Sequence, residues 1–348
     1  MHFHSYHLLA FIVSAATVLI TTPWIRQLGL RSGRVDLPGE RKVHDRPMVR
    51  LGGVSIFLGN LLALLLVWRL GGFGWLPPDH EYEIWGVTIG GLAFFLIGLA
   101  DDLFNLSPFN RLLLQVCIAT IVWKVGVQIN FMTLPWGGLV SLPDPVSLML
   151  TVLWLVGMCN AINWIDGLDG LAAGVSGIAA VVMLIVSLFM NQPAAALIAA
   201  ALAGGTLGFL RYNFNPAQIF MGDGGSYYLG FTLAGLGVVG LLKSVTTVAV
   251  ILPYLILAVP LLDMSAVILD RLRCGQSPFA ADKRHLHHRL LQAGLSHRFT
   301  VIFIYCLTLW VGSLALAVSG IPSGYSYAIG ATLLLSYTSW QARKQVRS

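Results

Sequence analysis

Apolar runs long enough to cross a bilayer, about 20 residues each, recur along nearly all of this 348-residue chain, separated by short polar stretches. They place candidate spans at Leu8–Trp24, Val54–Leu70, Ile84–Ala100, Leu112–Val127, Val146–Ile162, Gly170–Phe189, Ala194–Leu210, Tyr227–Leu242, Val245–Leu269, Phe299–Val318 and Tyr325–Trp340. Backbone polar groups inside a membrane must be satisfied within the segment. Eleven such segments therefore predict an all-α polytopic transmembrane helix bundle. The loops are too short to fold independently, so residues 1–348 are expected to form a single integral membrane domain. Pro253 and Pro260 fall in the ninth segment, near Asp263, as kinks or as a break.

Composition agrees with this reading. At 57% hydrophobic and 10% charged residues, with mean hydropathy +0.79, the chain lacks the polar surface of a soluble protein of its size. Met1–His7 carries no Lys or Arg, unlike a secretory leader, and the first span is expected to be retained. An odd number of spans puts the termini on opposite sides. With the amino terminus outside and the carboxyl terminus cytoplasmic, all of the 21 basic residues except Arg69, Lys124 and Lys243 fall on the inner side. The net charge of +6 is then mostly this asymmetry, and no nucleic-acid partner is expected. Cys117, Cys159, Cys274 and Cys306 form no CxxC pair and read as small, mostly buried thiols.

Five polar clusters stand out on the predicted inner side. Asp101 and Asp102 directly follow an apolar run, where adjacent carboxylates repel unless a cation is near; a solvated helix end is the ordinary alternative. Asn160, Asn163, Asp166 and Asp169 recur every third residue. An ideal helix would turn Asn160 and Asp169 to opposite faces, but Gly167 and Gly170 allow the helix to end near Asp166 and the four side chains to converge. In Met221-Gly-Asp-Gly-Gly-Ser226 one carboxylate, Asp223, is flanked by three glycines, as close approach to a metal or phosphate requires; Asn213 stands just before it. His285-Leu-His287-His288-Arg289 sits among Lys283 and Arg284, which favours an anion or sugar site over zinc. A basic loop before the second span holds Lys42 and His44 as further candidates, although positive-inside charge alone explains much of it.

Carboxylates for a divalent cation, glycines and a basic surround on one membrane face suggest phosphoryl transfer at the lipid surface. Asp101-Asp102, the Asn160-to-Gly170 run, Met221-to-Ser226 and His285-Leu-His287-His288 resemble, in order and spacing, the motifs of the polyprenyl-phosphate N-acetylhexosamine-1-phosphate transferases. That resemblance covers nearly the whole chain. It implies ten or eleven helices, often dimeric, in the bacterial cytoplasmic (inner) membrane with the active site facing the cytoplasm. It also implies a UDP-sugar donor, a polyprenyl phosphate acceptor, UMP as product, and Mg2+ (Mn2+ as the alternative) as cofactor. By the same resemblance Asp223 is a metal ligand with Asp166 beside it, and Asn160, Asn163, Asp166 and Asp169 line the nucleotide and diphosphate. Asp101 and Asp102 match the paired acids assigned to catalysis. Leu286 interrupts the histidines and Arg289 follows them, unlike the three consecutive histidines of the peptidoglycan-precursor branch. The chain is accordingly more similar to the branch that uses UDP-N-acetylglucosamine. Two other classes compete: a prenyltransferase, which would carry two DxxxD-type repeats, and a transporter, whose acids would lie near the midplane.

Overall fold

The computed structural model describes residues 5–33, 35–36, 47–76, 78–134, 138–241, 247–277 and 284–347. Its α-helices are α1 Ser5–Arg31, α2 Gly52–Arg69, α3 Pro78–Phe104, α4 Pro108–Lys124, α5 Asp144–Ile165, α6 Leu171–Phe189, α7 Pro193–Asn213, α8 Gly222–Leu236, α9 Thr247–Ile256, α10 Ala258–Arg273, α11 Leu286–Gln292, α12 His297–Val318 and α13 Gly324–Arg347. Two antiparallel hairpins join β1 Val35–Asp36 to β2 Met48–Val49 and β3 Phe131–Leu134 to β4 Gly138–Ser141. The helices begin where local chemistry allows. Proline occupies the first turns of α4, α5 and α7, where no amide donor is needed. Ser107 and Ser296 cap α4 and α12 by accepting the amides of Asn110 and Phe299.

Each predicted apolar segment lies largely on a helix, and the chain is a polytopic helical bundle. Among the described residues, eight helices are long and apolar enough to cross a membrane, or nine if α9 and α10 count as one broken span. The other two segments lie on α4 and α13. With 17 residues, α4 rises only about 25 Å. Polar residues at the carboxyl end of α13, from Gln341 to Arg347, interrupt its apolar character.

The ninth segment is not one straight span. It breaks at Leu257, and α9 and α10 meet at a bend of 76°. Restarting the helix at Ala258 puts Pro260 in a first turn, so its missing N–H leaves no gap in a hydrogen-bond ladder. Two edges of the predicted spans, Leu242 and Val245, lie outside the described residues.

At the centre is α8, every residue of which except Asp223 is buried. It packs on α2, α3, α5, α6 and α7. Lipid tails are as apolar as leucine, so packing within such a bundle relies on van der Waals contact between closely approaching backbones. Two crossings show how close they come. A Cβ on Gly53 of α2 would lie 2.3 Å from the Cα of Gly225 on α8, and one on Gly98 of α3 would lie 2.3 Å from the carbonyl oxygen of Asp223. Deeper in the bundle, Phe94 stacks on Phe231 with ring centroids 4.5 Å apart. Trp154 donates its indole N–H to the Ala234 carbonyl. These contacts fix the height of the amino terminus of α8 against the ends of its neighbours.

Candidate active site

The carboxyl ends of α3 and α5 meet the amino ends of α4 and α8 at one end of the bundle. Asp223, in the first turn of α8, lies where the helix dipole favours negative charge. Asp101 and Asp102, in the last turn of α3, lie where it opposes negative charge and need other partners. Arg111 in α4 supplies one, with Nη1 2.5 Å from Asp101 Oδ2 and 3.5 Å from Asp223 Oδ2. Arg50, just after β2, supplies another, with Nε 3.6 Å from Asp102 Oδ1 and Nη2 3.5 Å from Asp223 Oδ1. The Gly224 amide donates to Asp102 Oδ2 at 3.0 Å. Two guanidinium groups thus sit among three carboxylates. Neither arginine had been singled out from the sequence. Arg111 was legible in principle: it stands ten residues after Asp101, across a connection too short to carry it away.

The Asn160-to-Gly170 run turns where the glycines allow. Helix α5 ends at Ile165, and Gly170 adopts φ +79° before α6 begins. The four polar side chains do not converge on one point, however. Asn160 donates to Gln115 Oε1 and the Val156 carbonyl, facing α4 and its own helix. Asn163 donates to Asp223 Oδ1 at 3.0 Å and Ser226 Oγ at 2.9 Å, which orients the Asp223 carboxylate. Asp169 Oδ2 accepts from Asn215 Nδ2 and from the Ala217 amide. The three-residue spacing, about 300° per step on a helix, still separates the side chains up to Ile165; only beyond it does the turn redirect them. Asp166, at the turn itself, is within the electrostatic reach of the cluster. Burial raises its carboxyl to about 7, against the lowering influence of Arg50, while Asp102 and Asp169 add to the rise.

Asn213, buried, accepts the Gly170 amide and donates to the Ile219 carbonyl, so it ties the α5–α6 turn to the loop leading into α8. The histidines close the same turn from the other side. His285 Nδ1 lies 2.9 Å from Asp263 Oδ2, and Asp263 Oδ1 accepts the Leu286 amide at the start of α11. Asp263, read from the sequence only as a residue near a helix break, is thus the anchor of this loop. His287 is 2% exposed, and among the described residues neither ring nitrogen has a hydrogen-bond partner. Burial lowers its pKa to about 3, with His288 and His285 adding to the fall, so the ring is neutral near pH 7. It rests against Gly167, where a Cβ would come within 2.4 Å of Nε2. Its ring lies 5.8 Å from that of His285 and 4.2 Å from that of His288. Arg289 faces away, pairing with Asp270 and donating to the Arg284 carbonyl. Lys42, His44 and Lys283 lie outside the described residues.

Could this end of the bundle hold a divalent cation? Among the described residues no cluster of three or more His, Cys, Asp or Glu is arranged to enclose a metal ion. Mg2+ commonly needs less, being held by one or two carboxylates together with water and substrate phosphates. Oxygen donors of that kind are present. Asp223 is oriented by Asn163, and Asp102 Oδ1, buried, makes no hydrogen bond among the described residues beyond the 3.6 Å approach of Arg50, which leaves an acceptor that a hard cation would satisfy.

The sequence of residues 84–241 matches the profile of glycosyl transferase family 4. This stretch contains Asp101, Asp102, Arg111, the α5–α6 turn and Asp223. A protein of Bacillus subtilis named as a probable undecaprenyl-phosphate N-acetylglucosaminyl 1-phosphate transferase is 38% identical, over 95% of this chain and 86% of its own length. A decaprenyl-phosphate N-acetylglucosaminephosphotransferase of Mycolicibacterium smegmatis is 35% identical, over 87% of this chain and 79% of its own. An undecaprenyl-phosphate alpha-N-acetylglucosaminyl 1-phosphate transferase of Pasteurella multocida is 32% identical, over 85% and 82%. With similarity that spans the helices on both sides of the carboxylate cluster, the chain belongs to glycosyl transferase family 4, in its polyprenyl-phosphate N-acetylglucosamine-1-phosphate transferase branch.

Proposed function

We propose that this protein transfers N-acetylglucosamine 1-phosphate from UDP-N-acetylglucosamine to a polyprenyl phosphate at the cytoplasmic face of the bacterial inner membrane, releasing UMP. The carrying observation is the cluster of Asp101, Asp102 and Asp223 interleaved with Arg50 and Arg111 at one end of an apolar bundle. An acidic and basic lattice of this kind suits a diphosphate and a lipid phosphate arriving together.

In the reaction, an oxygen of the lipid phosphate attacks the β-phosphorus of the donor. The bond from that phosphorus to the bridging oxygen breaks, and the bridging oxygen leaves with UMP. A phosphate monoester has a second pKa near about 6, so much of the acceptor is already dianionic at neutral pH and little is asked of a general base. The geometry agrees, because Asp101 is engaged by Arg111 and Asp102 by the Gly224 amide. Their role is to hold the two arginines and the start of α8 in place. Arg50 and Arg111 would then stabilise charge on the transferring group. Asp223, oriented by Asn163, is the residue that would chiefly hold Mg2+, with Asp166 and the second oxygen of Asp102 nearby. When bound, Mg2+ supplies charge neutralisation on the diphosphate oxygens.

Purified protein given Mg2+, undecaprenyl phosphate and a panel of UDP-hexosamines should release UMP, fastest with UDP-N-acetylglucosamine. UMP release should stop on chelation. No UMP from any donor, with the fold intact, would defeat the proposal; faster release from another donor would move only the sugar assignment.

A further inference from the structure

The loop of residues 214–221, which delivers the chain to Asp223, is held from two sides. On one, backbone bonds join it to β2 and α2: Phe220 N–H to the Val49 carbonyl, and the Gly52 and Gly53 amides to the carbonyls of Phe220 and Met221. On the other, it is held by Asp169 and, behind Asp169, by the first turns of α12. His297 Nε2 accepts the Asp169 amide at 3.1 Å. Arg298 Nε donates to Asn215 Oδ1 at 3.1 Å. Tyr305 Oη donates to the Gly170 carbonyl at 2.5 Å. Asn215, held by Arg298, itself donates to Asp169 Oδ2.

The pocket for Tyr305 is made by the absence of side chains. A Cβ on Gly174 would lie 2.1 Å from the tyrosine ring, and one on Gly170 would lie 3.2 Å from its oxygen. A half-buried phenol needs a hydrogen-bond partner, and the carbonyl at the turn supplies it. For His297 the geometry requires a neutral ring with its proton on Nδ1, since a protonated ring would face one N–H with another.

We propose that Tyr305, His297 and Arg298 are positioning residues for donor binding. Acting through Asp169, they set the α5–α6 turn and the 214–221 loop, and so fix where the UDP moiety and Asp223 meet. None of the three pairs with the carboxylates or arginines of the cluster in any bond described above. The assignment of this surface to the donor rests on the proposed transferase reaction; the mechanical link from α12 to the loop does not.

Steady-state kinetics on the full-length enzyme test the donor assignment, and hydrogen exchange on the substrate-free protein tests the link. Tyr305→Phe keeps the ring in its pocket and removes only the hydrogen bond. It should raise KM for UDP-N-acetylglucosamine about 3- to 10-fold, the ordinary worth of one hydrogen bond. KM for polyprenyl phosphate and the unfolding temperature should hold. His297→Leu should act in the same direction, while His297→Gln, which retains an acceptor, should recover most of the loss. In the substrate-free protein, the amides of Asp169, Gly170 and Ala217 should exchange faster in Tyr305→Phe than in the wild type. Unchanged exchange at these amides overturns the link, whatever reaction the enzyme performs. Faster exchange with an unchanged donor KM, or with equal rises for both substrates, overturns the donor assignment. Wild-type protein inactive with every UDP-sugar would count against the reaction and leave exchange to decide the link.

Discussion

At the end of α3, two carboxylates adjacent in sequence have different partners: Asp101 faces Arg111, and Asp102 receives the Gly224 amide and approaches Arg50. Asp223 lies between both arginines and also accepts from Asn163. Asparagine at position 102 would keep an oxygen for the Gly224 amide, and asparagine at 101 would keep one for Arg111. At 223 the same change removes charge from the group best placed to hold a cation. Asp223→Asn should therefore lower kcat on the order of 100-fold or more, the scale on which one electrostatic contact to the reacting group acts. Asp101→Asn and Asp102→Asn should cost less. Initial rates across a Mg2+ titration would decide this, and a reversed ranking would mean that the metal belongs to the pair on α3. The sequence made the acids visible, because carboxylates beside apolar runs are conspicuous. The arginines were less visible: Arg50 looks like an ordinary basic residue of an inner face, and only the ten-residue step from Asp101 marked Arg111, until the carboxylates they meet are placed around them.

The site depends on how closely three helices approach. At Gly53 and Gly98 there is no room for a methyl group between α8 and its neighbours α2 and α3. Alanine at either position must push away the backbone that carries Asp223, and overpacking of this kind costs about 1–3 kcal/mol. Gly98→Ala should be the more damaging to activity, because its Cβ would meet the Asp223 carbonyl itself. Gly330 in α13 has none of the described residues within 4 Å of such a Cβ, so Gly330→Ala should leave both activity and unfolding temperature nearly unchanged. Equal activity in Gly98→Ala and Gly330→Ala would show that the α3–α8 contact does not set the site. Helix positions were readable from apolar runs of the right length, and the break after Asp166 from Gly167 and Gly170. The bend between α9 and α10 was only half readable. Pro253 and Pro260 marked the place, but not the 76° bend, nor that α10 meets His285 through Asp263, a contact made across 22 residues of sequence.

For the whole molecule, five clusters scattered over the chain were expected on one side because apolar runs and basic residues put them there. The structure gathers four of them: Asp101 and Asp102, the α5–α6 turn, Asp223 with its loop, and the histidines against Gly167. The fifth, with Lys42 and His44, lies outside the described residues. The distribution of basic residues is the argument for which way this end faces. We propose eleven crossings, with α4 and α13 included, the amino terminus outside and the carboxyl terminus in the cytoplasm. The native cysteines allow a direct test. Cys159 and Cys306 are buried and Cys117 lies on α4, whereas Cys274 is exposed at the carboxyl end of α10, on the proposed cytoplasmic side. Ser141, exposed at the end of β4, lies on the proposed outer side. In right-side-out vesicles a membrane-impermeant maleimide should label Ser141→Cys, in a background lacking Cys117 and Cys274, and should spare Cys274 in the native chain. Inverted vesicles should give the opposite pattern. Labelling both positions from one side would require an even number of crossings between residues 141 and 274. Labelling Cys274 only from outside would turn the carboxylate cluster away from the cytoplasmic pool of nucleotide sugars and remove the basis for the proposed donor.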